Sequence, residues 1–505
     1  MKKTGKRLAM RTIVFCCVVA AALFVPVVSA FGEGSNEMVV AVPGEPPTLH
    51  PSDGCSYTAN FVTDNIYERL TRREADGTVV GWLAESFSQV NDLTWRFKLR
   101  KGITFTNGEP FNADAVVTVM GYYIKEGTRC YGDYSSITGV EKVDEYTVDF
   151  KTEALDPTVP RRLLKFYVIA PKWMTDTPEA ELAVSAVGTG PYKLVEWEKG
   201  RHVLLEANND YWGDKKPTVQ TIRLVPREEA AVRASMIRAG EADIAINISQ
   251  DQADPLPKSV TEHTTEAVFI RVNTQHPVMQ DIRVRKAIAL SIDTEKLMNT
   301  LYKGVSSGLN NHIVRSSALG YNPDLKPYPY DPAEASRLVK EAGATGAEIE
   351  LIIRTDQFAN ASELGEAVQG MINESGLDVK IVAMEAGPWR ELLFANKPGQ
   401  ERTDLNIIAA SNTRFDSSRV INFYFGMGQF CHADSAEFQV KLDNAAQQIG
   451  SARVAAYQQL WKEIAENYWV VPLFGMDFIH GLSDRVEWEP RDDGFVYFNT
   501  VTIDE

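Results

Sequence analysis

The chain has 505 residues, 44% hydrophobic and 24% charged, with 52 Lys+Arg against 68 Asp+Glu for a formal charge of −16. That acidic balance argues against a nucleic-acid partner, which needs a basic face for its phosphates, and reads as surface solubility. So long a chain exceeds what one hydrophobic core supports, so at least two lobes are expected.

The first 30 residues carry Lys2, Lys3, Lys6, Arg7 and Arg11, then an apolar run from Ile13 to Val28, and end on the small pair Ser29-Ala30. This pattern is an export signal cleaved near Ala30. The run is too short to favour a permanent membrane span. Cys16 and Cys17 lie inside it without a lipid-attachment context, so a free, soluble periplasmic protein is expected. Losing five basic residues and no acidic ones takes the formal charge from −16 to −21.

Beyond the signal, Met38 to Val42 alternates as a short strand and breaks at Pro46-Pro47. Tyr57 to Leu70 is helix-like, with Phe61, Ile66 and Leu70 apolar. In TWRFKLR, Trp95, Phe97 and Leu99 point one way and Arg96, Lys98 and Arg100 the other, a strand with one wet face. Ile103 to Phe105 and the turn Asn107-Gly108 continue it as a hairpin. Gly188, Gly190 and Pro191 punctuate a turn, followed by strands at Tyr192 to Val195 and Val203 to Leu205 around Lys199-Gly200. Arg227 to Ala239 predicts a helix stopping at Gly240, then a strand at Asp243 to Ile248. Asp281 caps a helix whose buried stripe is Val284, Ala287, Ile288 and Ile292. Helices at Pro332 to Ala342 and Ser362 to Glu374 alternate with strands at Ile349 to Arg354 and Val379 to Met384, the rhythm of a sheet with crossover helices. Arg453 to Trp469 predicts one long amphipathic helix, and Val470 to Phe474 a strand.

Three of these segments resemble, in order, diagnostic stretches of one family. They are GWLAESFSQVNDLTWRFKLRKGITFTNGEPFNADAVV (Gly81 to Val117), GTGPYKLVEWEKGRHVLLEANNDYWG (Gly188 to Gly213) and DIRVRKAIALSIDTEKL (Asp281 to Leu297). They are similar to the extracytoplasmic solute-binding proteins of ABC importers, peptide/nickel-binding class. One departure is Ala115, where the family usually has an acidic residue; Asp114 lies one position earlier.

The resemblance implies an α/β, two-lobed periplasmic-binding-protein fold (class II, the large three-subdomain type) with hinge strands between lobes. The layout expected is a signal peptide at 1–30, lobe 1 at 31–270 with an inserted subdomain at about 71–187, lobe 2 at 271–475, and a return to lobe 1 at 476–505. The chain should change lobe near Phe269 to Thr274 and cross back at Val470 to Phe474. Three cysteines follow the signal, Cys55, Cys130 and Cys431, so at most one bridge forms within the chain. The sequence does not choose the pair; Cys55 with Cys130 would staple two loops of the first lobe.

Most catalytic signatures are missing. There is no HExxH, mature CxxC, GxxxxGK[ST] or GxGxxG, the one GxSxG string is Gly304 to Gly308, and the seven histidines show no metal-ligand spacing. No catalytic residue, metal ligand or cofactor is therefore assigned; Cys431-His432 is the one adjacent soft pair. The weight moves from enzyme to receptor, with a secreted hydrolase as the outside alternative. The resemblance implies a small-molecule or peptide ligand, permease subunits in the inner membrane as partners, and a monomer.

The ligand site is expected on DLNIIAASNTRFDSSRVINFYF, Asp404 to Phe425, which takes the place of the family's cleft-lining strand and loop. Peptide-binding relatives put an Asp there to satisfy the ligand's α-ammonium. Here Arg414 stands at or next to that position, followed by Phe415 and Asp416. A buried guanidinium would repel an ammonium and attract a carboxylate or phosphate; a shift of two residues would instead offer Asp416 to an ammonium. Arg354, at the end of a second-lobe strand, could complete an anion clamp with Arg414. Equally, Arg414 could pair with Asp416 or another acid and Arg354 with Asp356, for structure alone. Further cleft candidates by position are Ser56, Tyr57, Arg129, Tyr131, Trp389 and Asn412. The two ligand classes left open are a di- or oligopeptide and an anionic or other non-peptide solute such as an acidic metabolite, opine-like conjugate, oligosaccharide or metal chelate.

Overall fold

The computed structural model describes residues 36–52, 56–128, 130–395, 404–427 and 433–504. One large mixed sheet organises them. Its strands run, in spatial order, Tyr192–Glu198, His202–Ala207, Thr221–Pro226, Glu37–Val42, Ile244–Ile248, Val470–Leu482, Lys258–Val272, Leu405–Ser411, Glu348–Arg354 and Asp378–Met384. Glu37–Val42 pairs in parallel with both neighbours, and Glu348–Arg354 with both of its own, as crossover connections require. A separate antiparallel sheet orders Ala84–Asn91, Thr94–Leu99, Thr147–Thr152 and Ile137–Asp144.

The apolar residues collect into distinct cores on either side of two long strands. One core joins Met38, Phe61, Phe97, Tyr134, Phe150, Tyr192 and Ile246 to Trp488, Phe498 and Val501 near the C-terminus. A second joins Val268, Ile288, Leu351, Val368, Leu405 and Phe474. A third packs Phe269, Val314, Ile421, Tyr457 and Trp461 on the opposite face of the same strands. Lys258–Val272 and Val470–Leu482, 15 and 13 residues long, pair antiparallel and reach from the first core to the others.

Their ladder is interrupted at the joint. His263 stands opposite Asp477 and Ala267 opposite Gly475, so three residues on one strand face Met476 alone on the other. Such an excess bends and twists the ladder locally. A second shift falls between Val268 and Phe269, beside Pro472, which has no N–H to donate.

Most predicted elements form where periodicity placed them. Asp281 accepts from the Arg283 amide and caps Ile282–Ser291, whose Val284, Ala287 and Ile288 are buried. Four expectations change in extent. The first helix is Tyr57–Ile66, because Gly190 N–H takes the Ile66 carbonyl (2.9 Å) and Glu68–Arg69 pairs with Tyr167–Val168. The segment Asp281 to Leu297 is two helices, since Asp293 accepts from the Lys296 amide and starts Thr294–Leu301. The strand at Val470 continues to Leu482, for its polar Asp477 and His480 are buried by specific partners rather than turned to water. The Ile103-to-Phe105 hairpin reduces to one bridge, Thr104 to Pro110.

Candidate functional site

The loop 412–416 lies between the strand Leu405–Ser411 and the helix Ser417–Tyr424, and is held both by residues of its own half, Leu319 and Arg453, and by Arg73, Asp133 and Arg161 on the side of the first core. Asp416 builds the helix start: its carboxylate accepts from the Ser418 amide (2.9 Å) and pairs with Arg453 (3.1 Å), and it is 1% exposed. That carboxylate is committed to cap and ion pair, so the shifted reading in which it waits for an ammonium does not describe the geometry. Phe415 is held left-handed at φ 52° with its ring buried beneath the Arg73 guanidinium, 4.4 Å away. Its carbonyl accepts from Arg161 Nη1 (3.1 Å) and from the Leu319 amide (2.9 Å). A left-handed non-glycine residue costs roughly 1 kcal/mol or more, and these contacts hold it there.

Arg414 reaches across to the short helix Tyr131–Tyr134. Its Nη2 donates to Asp133 Oδ1 (2.9 Å) and to the Asp133 carbonyl (3.2 Å). Arg162 Nη1 donates to the same carbonyl (2.7 Å), and Arg419 Nε lies 3.9 Å from Asp133 Oδ1. Burial lowers the Arg414 guanidinium to about 10, with the neighbouring Arg162 adding to the effect. Burial would raise the Asp133 carboxyl, but Arg414 and Arg419 outweigh it and hold it below the usual carboxylate range. Lys165 faces the same acid, with its ammonium pulled down by burial, and has no ion-pair partner among the described residues.

Arg354 forms a separate group. Its Nε is 2.9 Å from Asp356 Oδ1 and its guanidinium 5.2 Å from the Trp389 ring centre. Trp389 Nε1 donates to Asn406 Oδ1 (3.4 Å), whose own Nδ2 is buried without a partner. Asn412, 2% exposed, has neither amide atom partnered. No bond, ion pair or ring contact joins Arg354 to Arg414 among the described residues. Each has its own acid, so the two-arginine anion clamp is not assembled in this geometry. The partner of Arg414 is Asp133 rather than the adjacent Asp416.

The remaining candidates sit at the joint and beside Asp133. Ser56 Oγ accepts from the Ala59 amide (3.3 Å) and caps the first helix. Tyr57 packs on Phe61 and Phe478 at 4.9 and 5.2 Å, and its hydroxyl is buried without a partner. Tyr131 is half-buried two residues from Asp133. Cys130 is disulfide-bonded; Cys55 and Cys431, like Arg129 and His432, lie outside the described residues. Sequence reasoning missed Asp133, Arg161, Arg162, Lys165 and Arg419. None carries a local signature; an acid among 68 in the chain stands out only once its neighbours are known.

No helix of the described residues is long and apolar enough to cross a membrane, and no group of three or more His, Cys, Asp or Glu among them is placed to hold a metal.

A family model described as "Bacterial extracellular solute-binding proteins, family 5 Middle" matches residues 78–427. The glutathione-binding protein GsiB of Shigella flexneri is 27% identical over 374 residues, 70% of each chain. Di/tripeptide-binding protein 1 of Pseudomonas aeruginosa is 25% identical over 454 residues, 83% of each. Among solved structures, NikA from Brucella suis in complex with Fe(III)-EDTA superposes with a TM-score of 0.83 at 24% identity, covering 93% of this chain and 100% of that one, a likeness of fold.

Proposed function

The chain belongs to the bacterial extracellular solute-binding proteins of family 5, whose members work with ABC transporter permeases, and on that premise we propose that it closes two lobes over a di- or oligopeptide or a related small polar solute. The lobes are the two sets of cores, and the boundaries are the joint at 264–266 on one strand and around Met476 on the other. The solute leaves unaltered for a permease in the inner membrane. The protein works as a periplasmic monomer after cleavage near Ala30, with Cys55 bonded to Cys130.

The observation that carries this reading is the contact of the 412–416 loop with the opposite core. Arg414 with Asp133, Arg161 with the Phe415 carbonyl, and Arg73 over the Phe415 ring join residues more than 250 positions apart. Such contacts exist only with the halves together, so they favour that state, and a ligand touching both sides adds its differential affinity to theirs. The names of the relatives, glutathione and di/tripeptides, support a short peptide as the solute. A second reading, an anionic solute, is favoured by the cations Lys165, Arg414 and Arg419 gathered around Asp133, with Arg162 beside them paired to Asp156.

The test is a thermal-shift screen of the mature protein against di- and tripeptides, glutathione, organic acids, sugars and metal chelates, followed by small-angle scattering with each hit. A peptide hit that contracts the particle supports the first reading, and an organic acid the second. A particle that never contracts with a confirmed ligand refutes capture by closure, and turnover of the hit during incubation refutes a receptor role.

A further inference from the structure

The two strands that run between the cores, Lys258–Val272 and Val470–Leu482, lose their ladder between His263 and Ala267 on one side and Asp477 and Gly475 on the other. A bulge of this kind leaves backbone groups unpaired, and those shielded from water need other partners. Arg315 supplies them. Its Nε donates to the Thr264 carbonyl (2.9 Å) and its Nη2 to the Met476 carbonyl (2.9 Å), one from each strand. The Met476 carbonyl also accepts from Thr264 Oγ1 (2.6 Å), which in turn accepts from the Glu266 amide (3.0 Å). Beyond the bulge the same guanidinium pairs with Asp477 Oδ1 (2.6 Å) and donates to Ser307 Oγ, while Ser307 donates to Asp477 Oδ2 (2.8 Å). The exposed His263 ring lies 3.2 Å from that second oxygen.

Gly475 makes room for this head group. Its φ is not in the left-handed region, so the backbone does not call for glycine there. A Cβ built on it would overlap Cζ and both Nη atoms of Arg315, so the guanidinium occupies the space that a side chain at 475 would fill. Only a planar fork with several donors can serve both strand carbonyls, Ser307 and Asp477 at once; a lysine ammonium on its flexible stem cannot. The segment that carries Arg315 is anchored through Ile313 and Val314 in the third core. Four residues on, Leu319 donates to the Phe415 carbonyl (2.9 Å) and accepts from the Ser417 amide (2.9 Å). One short segment, 313–319, therefore holds both the bulge and the loop that meets the opposite core.

We infer that Arg315 is a positioning residue of the hinge: by bonding both strands across the bulge, it fixes the angle at which they carry one set of cores against the other. The inference rests on the closure reading above and names the device that sets the closing angle. Without the guanidinium, the Thr264 carbonyl loses its donor and the Met476 carbonyl keeps only the Thr264 hydroxyl. Nothing then selects one bend of the bulge over its neighbours, and the hinge samples a wider range.

Nitroxide labels on keto amino acids placed at Lys98 and Lys462, exposed positions on elements of the first and third cores, read that angle as a distance distribution by pulsed electron resonance and leave the cysteines untouched. Arg315→Lys keeps a charge for Asp477 and loses the fork, so the braced bend should fall about tenfold against the others and the distribution should widen. Gly475→Ala should widen it likewise by displacing the guanidinium, and should add nothing in an Arg315→Met background. A wild-type width in either Arg315→Lys or Gly475→Ala, even with a lowered melting temperature, would overturn the inference, since a residue serving stability alone moves only the melt. So would an equal effect of Gly475→Ala with and without the Arg315 guanidinium. Glutathione and trialanine, each added to wild type and to Arg315→Lys, separate this result from closure. Shortening of the wild-type distance together with variants of wild-type width fails the inference and leaves the receptor reading standing. Widened variants, with no shortening by either probe or by any confirmed ligand, leave the brace standing and fail closure; neither widening nor shortening fails both.

Discussion

Asp133→Asn is the sharpest probe of the contact that joins the halves, since it keeps the shape of the side chain and removes its charge. The pair is neither surface nor core: the Arg414 side chain is 14% exposed and that of Asp133 31%. Exposed pairs contribute roughly 0–1 kcal/mol and hydrogen bonds to charged groups roughly 1.5–3. Of the two bonds from Arg414 Nη2, only the one to Oδ1 loses its charge, but Arg414 then stays buried beside Arg162 and Arg419 without its acid. About 1.5 kcal/mol is therefore expected, close to a tenfold change in the ratio of closed to open molecules. If the free protein is mostly open, the whole factor appears in ligand Kd, which should rise about tenfold. Calorimetry with a screened ligand measures it, and a double-mutant cycle with Arg414→Gln isolates the pair. The cycle should show a coupling of about 1 kcal/mol. Single variants that bind as wild type does, or effects that simply add, would refute a bridge between the halves. The pH dependence has a fixed sign. Because Asp133 is held below the usual carboxylate range, the contact is complete at neutral pH and is lost only as pH falls through that lowered value.

His312 is fully buried, accepts from the Asn322 amide (3.0 Å), and is pushed down by burial to about 4. Unfolded it titrates near 6.5, so stability should be complete above that pH and fall by roughly 3 kcal/mol on acidification to 4; denaturant melts of wild type and His312→Gln against pH would check this, the variant losing the slope. Gly188→Ala should destabilise by at least about 2 kcal/mol, because its Cβ would strike the Ile66 carbonyl and the Tyr67 ring (2.9 Å) at the end of the first helix; an unchanged melting temperature would contradict that packing. Reducing the Cys130 bridge should cost about 2–4 kcal/mol, and thiol counting in Cys55→Ser and Cys431→Ser should free Cys130 in the first variant alone.

The elements of this fold were legible because each leaves a local mark. Phe97 and Leu99 alternate with Arg96 and Lys98, Asp281 stands one residue before a helical stripe, and Gly240 ends a helix at φ 70°. The turn at Gly188 and Gly190 was legible as a turn, but its purpose was not; only the packed structure puts Ile66 and Asn65 carbonyls within 2.6 Å of where a Gly190 side chain would begin. The loop 412–416 was likewise singled out from the sequence, while the partners of its residues were not legible there. Asp416 is a helix cap with an arginine partner 37 residues on, and Arg414 answers an acid 281 residues away.

By itself, then, the sequence determined the strands, helices and turns, the acidic surface, and the membership those segments imply, because hydrophobic period, capping and turn chemistry act over a few residues. The tertiary structure alone decided which charge meets which. Asp133 with Arg414, and Asp416 with Arg453, depend on how separate chain segments are packed together. That packing also sets burial, and burial decides whether a charge is solvated or must be paired.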